Sequence, residues 1–105
     1  MKISRDEYLA FIKDVSEREF NYLPIEKLDI FEEEEINYLE VGLKEEFKVE
    51  KRIKKAVAII EVPCRCTMGS DFLKRLSKFM QVESVLVILY VKGKHKKGIA
   101  HLFYV

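Results

Sequence analysis

Residues 84–105 read SVLVILYVKGKHKKGIAHLFYV, and this stretch decides the fold. Val85–Val91 is apolar at every position, and Ile99–Val105 is apolar except at His101. Two such runs on either side of a short polar segment that contains glycine are typical of a β-hairpin. The sequence therefore predicts a hairpin at the C-terminal end of the chain.

Strands that are apolar on both faces must be covered on both faces. Residues 56–62 form a third, mostly apolar strand of this kind, which Pro63 ends. If two helices cover one face of the sheet, the second face needs a second copy of the chain or a protein partner. The alternative is that residues 24–43 fold over that face.

Two helices are expected. Ser4 and Glu7 have the spacing of a capping box, and apolar residues then recur at helical intervals. This first stripe consists of Tyr8, Phe11, Ile12 and Val15. Ser70-Asp71 caps a second helix, whose stripe consists of Phe72, Leu73, Leu76, Phe79 and Met80.

The middle of the chain is harder to interpret. Lys27 to Phe31 fits a short strand, but residues 24–35 also fit a helix. Residues 36–41 favour a strand, because Ile36, Tyr38 and Val41 are strand formers. Residues 45–54 alternate between apolar and charged positions, as a half-buried strand does. The sequence as a whole predicts one α+β domain over residues 1–105, with a mainly antiparallel β-sheet, two α-helices and the C-terminal β-hairpin.

The charge distribution is uneven. The chain has 105 residues, with 19 Lys and Arg against 18 Asp and Glu. Residues 1–50 hold 7 of these basic and 15 of these acidic side chains, whereas residues 51–105 hold 12 and 3. An acidic and a basic half indicate charged partners, or halves that attract each other.

The segment between the two terminal strands is the most basic in the chain. Its side chains, with one arginine from the preceding loop, are candidates for binding nucleic acid or a protein partner: Lys92, Lys94, His95, Lys96, Lys97 and Arg65. No aromatic platform is interleaved with the lysines. The simpler interpretation is a solvated turn that keeps a sheet edge soluble.

Cys64 and Cys66 lie in a loop that leads into the second helix. A disulfide between residues two apart would be strained, so free and partly buried thiols are expected. Together with His95 and His101 they give two cysteines and two histidines, which is a ligand set found in zinc sites, but the spacing of the four residues does not fit a zinc site. We therefore expect no metal and no cofactor, and we expect His101 to be a core or interface histidine with one hydrogen-bond partner.

No catalytic motif is recognisable, so no catalytic residue and no enzyme activity are predicted. The acidic run Glu32–Glu35 fits a solvated face. The longest apolar run has seven residues and the N-terminal segment lacks a secretory signal, so an intracellular, cytoplasmic protein without a membrane partner is expected. The abundance of Lys, Glu and Ile, with a single Gln, resembles the composition of proteins from hot environments.

These observations predict a small non-enzymatic interaction protein. It would form homo-oligomers, or bind a protein partner, through apolar sheet surface and its acidic and basic halves. The alternative is a nucleic-acid-binding protein that uses the basic C-terminal hairpin.

Overall fold

Five strands form a mixed sheet that has helices on both faces. The computed structural model describes residues 1–19, 25–63, 69–93 and 97–105. The elements in chain order are β1 (Lys2–Ser4), α1 (Arg5–Glu19), α2 (Ile25–Leu28), β2 (Glu35–Gly42), β3 (Ile53–Val62), α3 (Gly69–Ser77), β4 (Met80–Lys92) and β5 (Ile99–Tyr104). The strand order is β1-β2-β5-β3-β4, and all neighbours are antiparallel except β3 and β4, which are parallel. The α+β prediction is confirmed, and the sheet is mainly but not strictly antiparallel, because β3 and β4 form a parallel pair.

The prediction of a C-terminal hairpin is wrong. β4 and β5 are the two expected strands, but β3 lies between them and pairs with both. Strands in a sheet are about 4.8 Å apart, so β4 and β5 are separated by roughly 10 Å. The six-residue connection 93–98 can span that distance. Chain proximity suggested direct pairing, but β3, whose residues Ala56 to Ile60 are all buried, lies between β4 and β5.

Two glycines, Gly93 and Gly98, pack closely against neighbouring residues at the two ends of this connection. The Gly93 amide donates to the Val62 carbonyl at 2.9 Å, and the Leu43 amide donates to the Gly98 carbonyl at 3.1 Å. A Cβ atom at Gly93 would lie 3.0 Å from Glu61 Cβ, and one at Gly98 would overlap Leu43 Cδ1. Neither glycine has a positive φ, so close approach of neighbouring atoms is what requires them.

The local signals for the first helix are confirmed. The Glu7 amide donates to Ser4 Oγ at 3.0 Å, and the Ser4 amide donates to Glu7 Oε1 at 3.2 Å. This reciprocal pair satisfies two backbone donors at the start of α1. The same helix buries Tyr8, Ile12 and Val15 against the sheet.

Both faces of the sheet are covered by the chain itself. In β3, Val57 and Ile59 face the layer formed by α1 and α2, whereas Ala56, Ala58 and Ile60 face α3. The expectation that both helices cover one face, leaving the other to a partner, is therefore wrong. The segment 43–52 and α3 cover the second face, and residues 25–31 lie with α1 on the first.

Residues 45–52 do not form a strand, although the predicted alternation of buried apolar and exposed charged side chains is present. Val49 is buried and Phe47 half-buried, while Glu46, Lys48 and Glu50 are exposed. Arg75 of α3 holds this segment, because its guanidinium donates to the carbonyls of Leu43 and Glu45 and lies 5.8 Å from the centre of the Phe47 ring. The segment therefore covers α3 and the sheet without joining a ladder of backbone hydrogen bonds.

Among the described residues, no helix is long and apolar enough to cross a membrane. The predicted strand at 36–41 is confirmed by β2, whereas 27–31 holds the end of α2 and no strand. The short strand β1 was not predicted.

Candidate functional site: the open edge of the sheet

The outer edge of β4 is the largest unpaired apolar feature of the sheet. β4 ends the strand order, and no described residue pairs with its outer side. Tyr90 is 50% exposed and Val85 is 49% exposed, and the residues between them are half-buried. Natural proteins usually protect such an edge with charged residues or proline, and residues 85–91 contain neither. The edge therefore has the properties of a surface that adds another strand.

The backbone groups that face the open edge belong to the even-numbered residues. β4 runs in register with β3 from Val85 to Lys92, with Lys92 opposite Val62. The Gly93 amide bonds to the Val62 carbonyl, so odd-numbered residues of this stretch direct their amide and carbonyl groups towards β3. Alternate residues of a strand point their backbone groups to opposite sides, which leaves those of Leu86, Ile88 and Tyr90 on the open edge.

A bulge limits this edge at its N-terminal end. Ile53 pairs with Met80 and Lys55 pairs with Val85, so β4 has extra residues between those two points. Glu83 in this bulge has a φ of 65°, which is unusual for a residue other than glycine, and Val82 beside it is 94% exposed. The regular open edge consequently starts at Val85.

Two of the predicted binding residues lie in the described part of the chain. Lys92 is exposed at the end of β4, and Lys97 is exposed just before β5. Lys94, His95, Lys96 and Arg65 lie outside the described residues, as do Cys64 and Cys66. The structure thus brings Lys92 and Lys97 to the same end of the sheet and leaves the proposed role of the other four as a prediction.

Several other cations from the basic half serve internal contacts. Arg75 binds the carbonyls of the segment 43–52, as described above. Arg52 Nη1 donates to the Met80 carbonyl at 3.1 Å, and Lys55 Nζ lies 3.8 Å from Glu33 Oε1. This ion pair joins the basic half to the acidic run Glu32–Glu35, which is exposed as predicted. These contacts reduce the number of cations available to an external phosphate chain.

The open edge belongs to the basic half of the sequence. β1 and β2, from the acidic half, lie at one side of the sheet, while β3 and β4 lie at the other. The two halves are therefore separated across the sheet rather than interleaved strand by strand.

His101 lies in a buried polar network that sequence reasoning found only in part. It is 6% exposed. Its Nδ1 lies 2.8 Å from the Tyr38 hydroxyl and its Nε2 lies 2.8 Å from Glu61 Oε2, so the ring has two partners rather than the expected one. The three residues come from the neighbouring strands β2, β5 and β3, and Phe11 of α1 packs 4.9 Å from the His101 ring. The sequence signal for this network is that His101 is the one polar residue in the apolar run Ile99–Val105.

The order of this network is hydroxyl, imidazole and carboxylate, which is also the order of a nucleophilic relay. Because a carboxylate only accepts hydrogen bonds, the Nε2 atom donates to Glu61. Burial, with the nearby carboxylates of Glu40 and Glu61, raises the pKa of Tyr38 to about 12. A raised pKa keeps the hydroxyl protonated near neutral pH, which is the opposite of what activates a nucleophile. The network is consistent with joining three strands by satisfied hydrogen bonds.

A surface depression lies where β2 ends and β5 begins. Its lining residues are Glu40, Val41, Gly42, Glu45, Lys97, Gly98 and Ile99. Among the described residues, no three His, Cys, Asp or Glu side chains converge as metal ligands. His101 has both ring nitrogens engaged with protein groups, so it is poorly placed to join a zinc site.

Comparison with known proteins identifies no relative: no protein-family model, no curated protein and no solved structure matches this chain.

Proposed function

We propose that this protein functions by protein–protein association, and that the open edge of β4 is its binding element. The single observation that carries the proposal is the regular apolar stretch Val85–Val91, which is long and which, among the described residues, is paired on one side only. The apolar sheet faces predicted for this role are filled by the chain's own helices. The proposed association surface is therefore the edge of the sheet and not one of its faces.

Strand addition would satisfy backbone groups that have no strand partner within the described part of the chain. The amide and carbonyl groups of Leu86, Ile88 and Tyr90 would gain backbone partners, and the exposed parts of Val85 and Tyr90 would be covered. Covering apolar surface stabilises an association by about 25 cal/mol for each Å² buried, before the entropic cost of association is subtracted. Homo-oligomerisation, as the sequence predicts, is the simplest form of such an association.

The test measures association of the full chain over a range of concentration. Sedimentation velocity at micromolar concentrations is expected to show a self-associating species. A protein that stays monomeric over this range would refute the proposal.

A pair of lysine substitutions on β4 locates the contact. Tyr90→Lys places a charge within the regular edge, and we expect it to weaken association at least about tenfold. Val82→Lys is the matched control, because Val82 is more exposed but lies in the bulge, outside the regular edge. If Val82→Lys weakened association and Tyr90→Lys did not, the contact would lie elsewhere than proposed.

Nucleic-acid binding through the basic connection is the alternative function, and the exposure of Lys92 and Lys97 favours it. Binding to short DNA and RNA would weaken steeply with added salt, since lysine contacts release counterions from phosphates. The double variant Lys92→Gln, Lys97→Gln would reduce both the affinity and the salt dependence. Absence of binding at low salt would contradict this alternative and leave the edge proposal unaffected.

A further inference from the structure

We infer that the occupant of the β4 edge is a second copy of this chain, paired antiparallel across a two-fold axis at Ile88. This inference rests on the proposed function and specifies its partner and register. The competing edge in the same molecule is β1, which has only three residues, Lys2–Ser4. β4 offers its partner a much longer ladder than β1 does, so pairing of β4 with itself is favoured over head-to-tail growth.

Symmetry restricts the register. A two-fold axis perpendicular to an antiparallel pair must place a residue opposite its own copy, because neighbouring pairs alternate between hydrogen-bonded and non-hydrogen-bonded types. Ile88 has its backbone groups on the open edge, so an axis there forms a hydrogen-bonded pair of the two Ile88 residues. Leu86 of each copy then exchanges hydrogen bonds with Tyr90 of the other.

The register centred on Ile88 also covers both exposed apolar side chains. Tyr90 lies opposite Leu86 of the second copy, and Val85 lies opposite Val91. Cross-strand pairs of aromatic and aliphatic side chains are favourable. A register centred one residue later, on Leu89, would place Val85 opposite Gly93 and leave it exposed.

Charge is complementary in the same arrangement. Lys92 and Glu83 are exposed near opposite ends of β4. In the Ile88 register Lys92 lies opposite Ser84 of the second copy, next to Glu83. Each end of the paired strands would therefore bring a lysine near a glutamate, while the bulge at 81–84 ends the ladder there.

Cysteine cross-linking tests the register. The background carries Cys64→Ser and Cys66→Ser, so that each variant has one thiol. In a hydrogen-bonded antiparallel pair the Cα atoms are about 5.5 Å apart, which a disulfide can bridge. Ile88→Cys is expected to form a covalent dimer on mild oxidation. Val85→Cys is the control: its two copies would be roughly 20 Å apart, although its side chain is the more exposed.

Amide hydrogen exchange of the unmodified protein gives an independent test that needs no substitution at Ile88. The amides of Leu86, Ile88 and Tyr90 are expected to exchange slowly in concentrated protein and at least about tenfold faster on dilution to monomer. Those of Val87 and Leu89 bond to β3 and should stay protected in both states.

The outcomes separate the two proposals. Monomeric protein at all concentrations refutes the proposed function itself. A dimer without protection at the even-numbered amides refutes the β4 edge as the dimer contact. A dimer in which Val85→Cys cross-links as well as Ile88→Cys refutes the register, and growth beyond a dimer refutes the two-fold symmetry.

Discussion

Gly98→Ala is the substitution that most directly tests the strand order. In the observed fold a Cβ atom at this position would overlap Leu43 Cδ1 and lie 3.0 Å from Leu43 Cγ. Leu43 is 2% exposed and cannot move into solvent. Overpacking of this kind costs typically 1–3 kcal/mol, whereas replacing glycine by alanine in a compatible conformation gains about 0.4–1 kcal/mol. We expect a net loss of about 1–2 kcal/mol in the free energy of unfolding.

The assay is thermal unfolding followed by circular dichroism, and Gly42→Ala is the matched control. A Cβ atom at Gly42 would meet the exposed side chain of Glu45, which can move aside. For a chain of this length a loss of 1–2 kcal/mol lowers Tm by roughly 5–10 °C. If β4 and β5 paired directly as a hairpin, Gly98 would lie in a solvated turn. Equal, small effects of Gly98→Ala and Gly42→Ala would therefore refute the strand order and the open β4 edge with it.

Three further predictions concern local interactions that the structure specifies. Ser4→Ala should lower the free energy of unfolding in urea by about 1 kcal/mol, because it removes the cap of α1. Since Ser4 and Glu7 bond to each other, the double variant with Glu7→Ala should lose less stability than the two single variants added together. Tyr8→Phe should cost about 1–3 kcal/mol in the same assay, because the buried hydroxyl donates to the Leu28 carbonyl at 2.5 Å; an unchanged midpoint would contradict that bond. The pKa of Tyr38 is raised above its ordinary value of 10 to about 12, so the native state holds this proton more tightly than the unfolded chain. Its contribution to stability is complete below pH 10 and is lost as the pH rises towards 12, so the wild type should lose more stability over that range than Tyr38→Phe does.

The open edge also follows from the position of β3 between β4 and β5. A direct hairpin would have paired β4 with β5 and covered one side of each. With β3 inserted, β5 lies between β2 and β3, and β4 becomes the last strand. The two strands that the sequence predicts as a hairpin are thus separated by β3, and this separation leaves the proposed binding edge of β4 exposed.

Much of the local structure could be predicted from sequence. The capping box at Ser4, the apolar stripe of α1, the strand at 36–41 and the α+β class all depend on interactions between residues close in sequence, whose spacing is visible in the letters. The nearly continuous apolar run of residues 56–62 likewise predicted that both faces of β3 would be buried. These properties depend on the helical and strand periods of the backbone, which do not change with tertiary context.

The strand order, the layer that each helix joins and the partners of His101 were decided only by the tertiary structure. Chain proximity favoured pairing of β4 with β5, but β3, which is buried on both faces, lies between them. Tyr38 and Glu61 lie 63 and 40 residues from His101 in sequence, so no local pattern could connect them. The sequence by itself determined the first helix, the apolar strands β3, β4 and β5, the strand at 36–41, and the burial of β3 on both faces. Only the packing of those segments against one another decided that the chain covers its own sheet and leaves β4 as the open edge, because the free energy of burial depends on surface area and not on the order of residues along the chain.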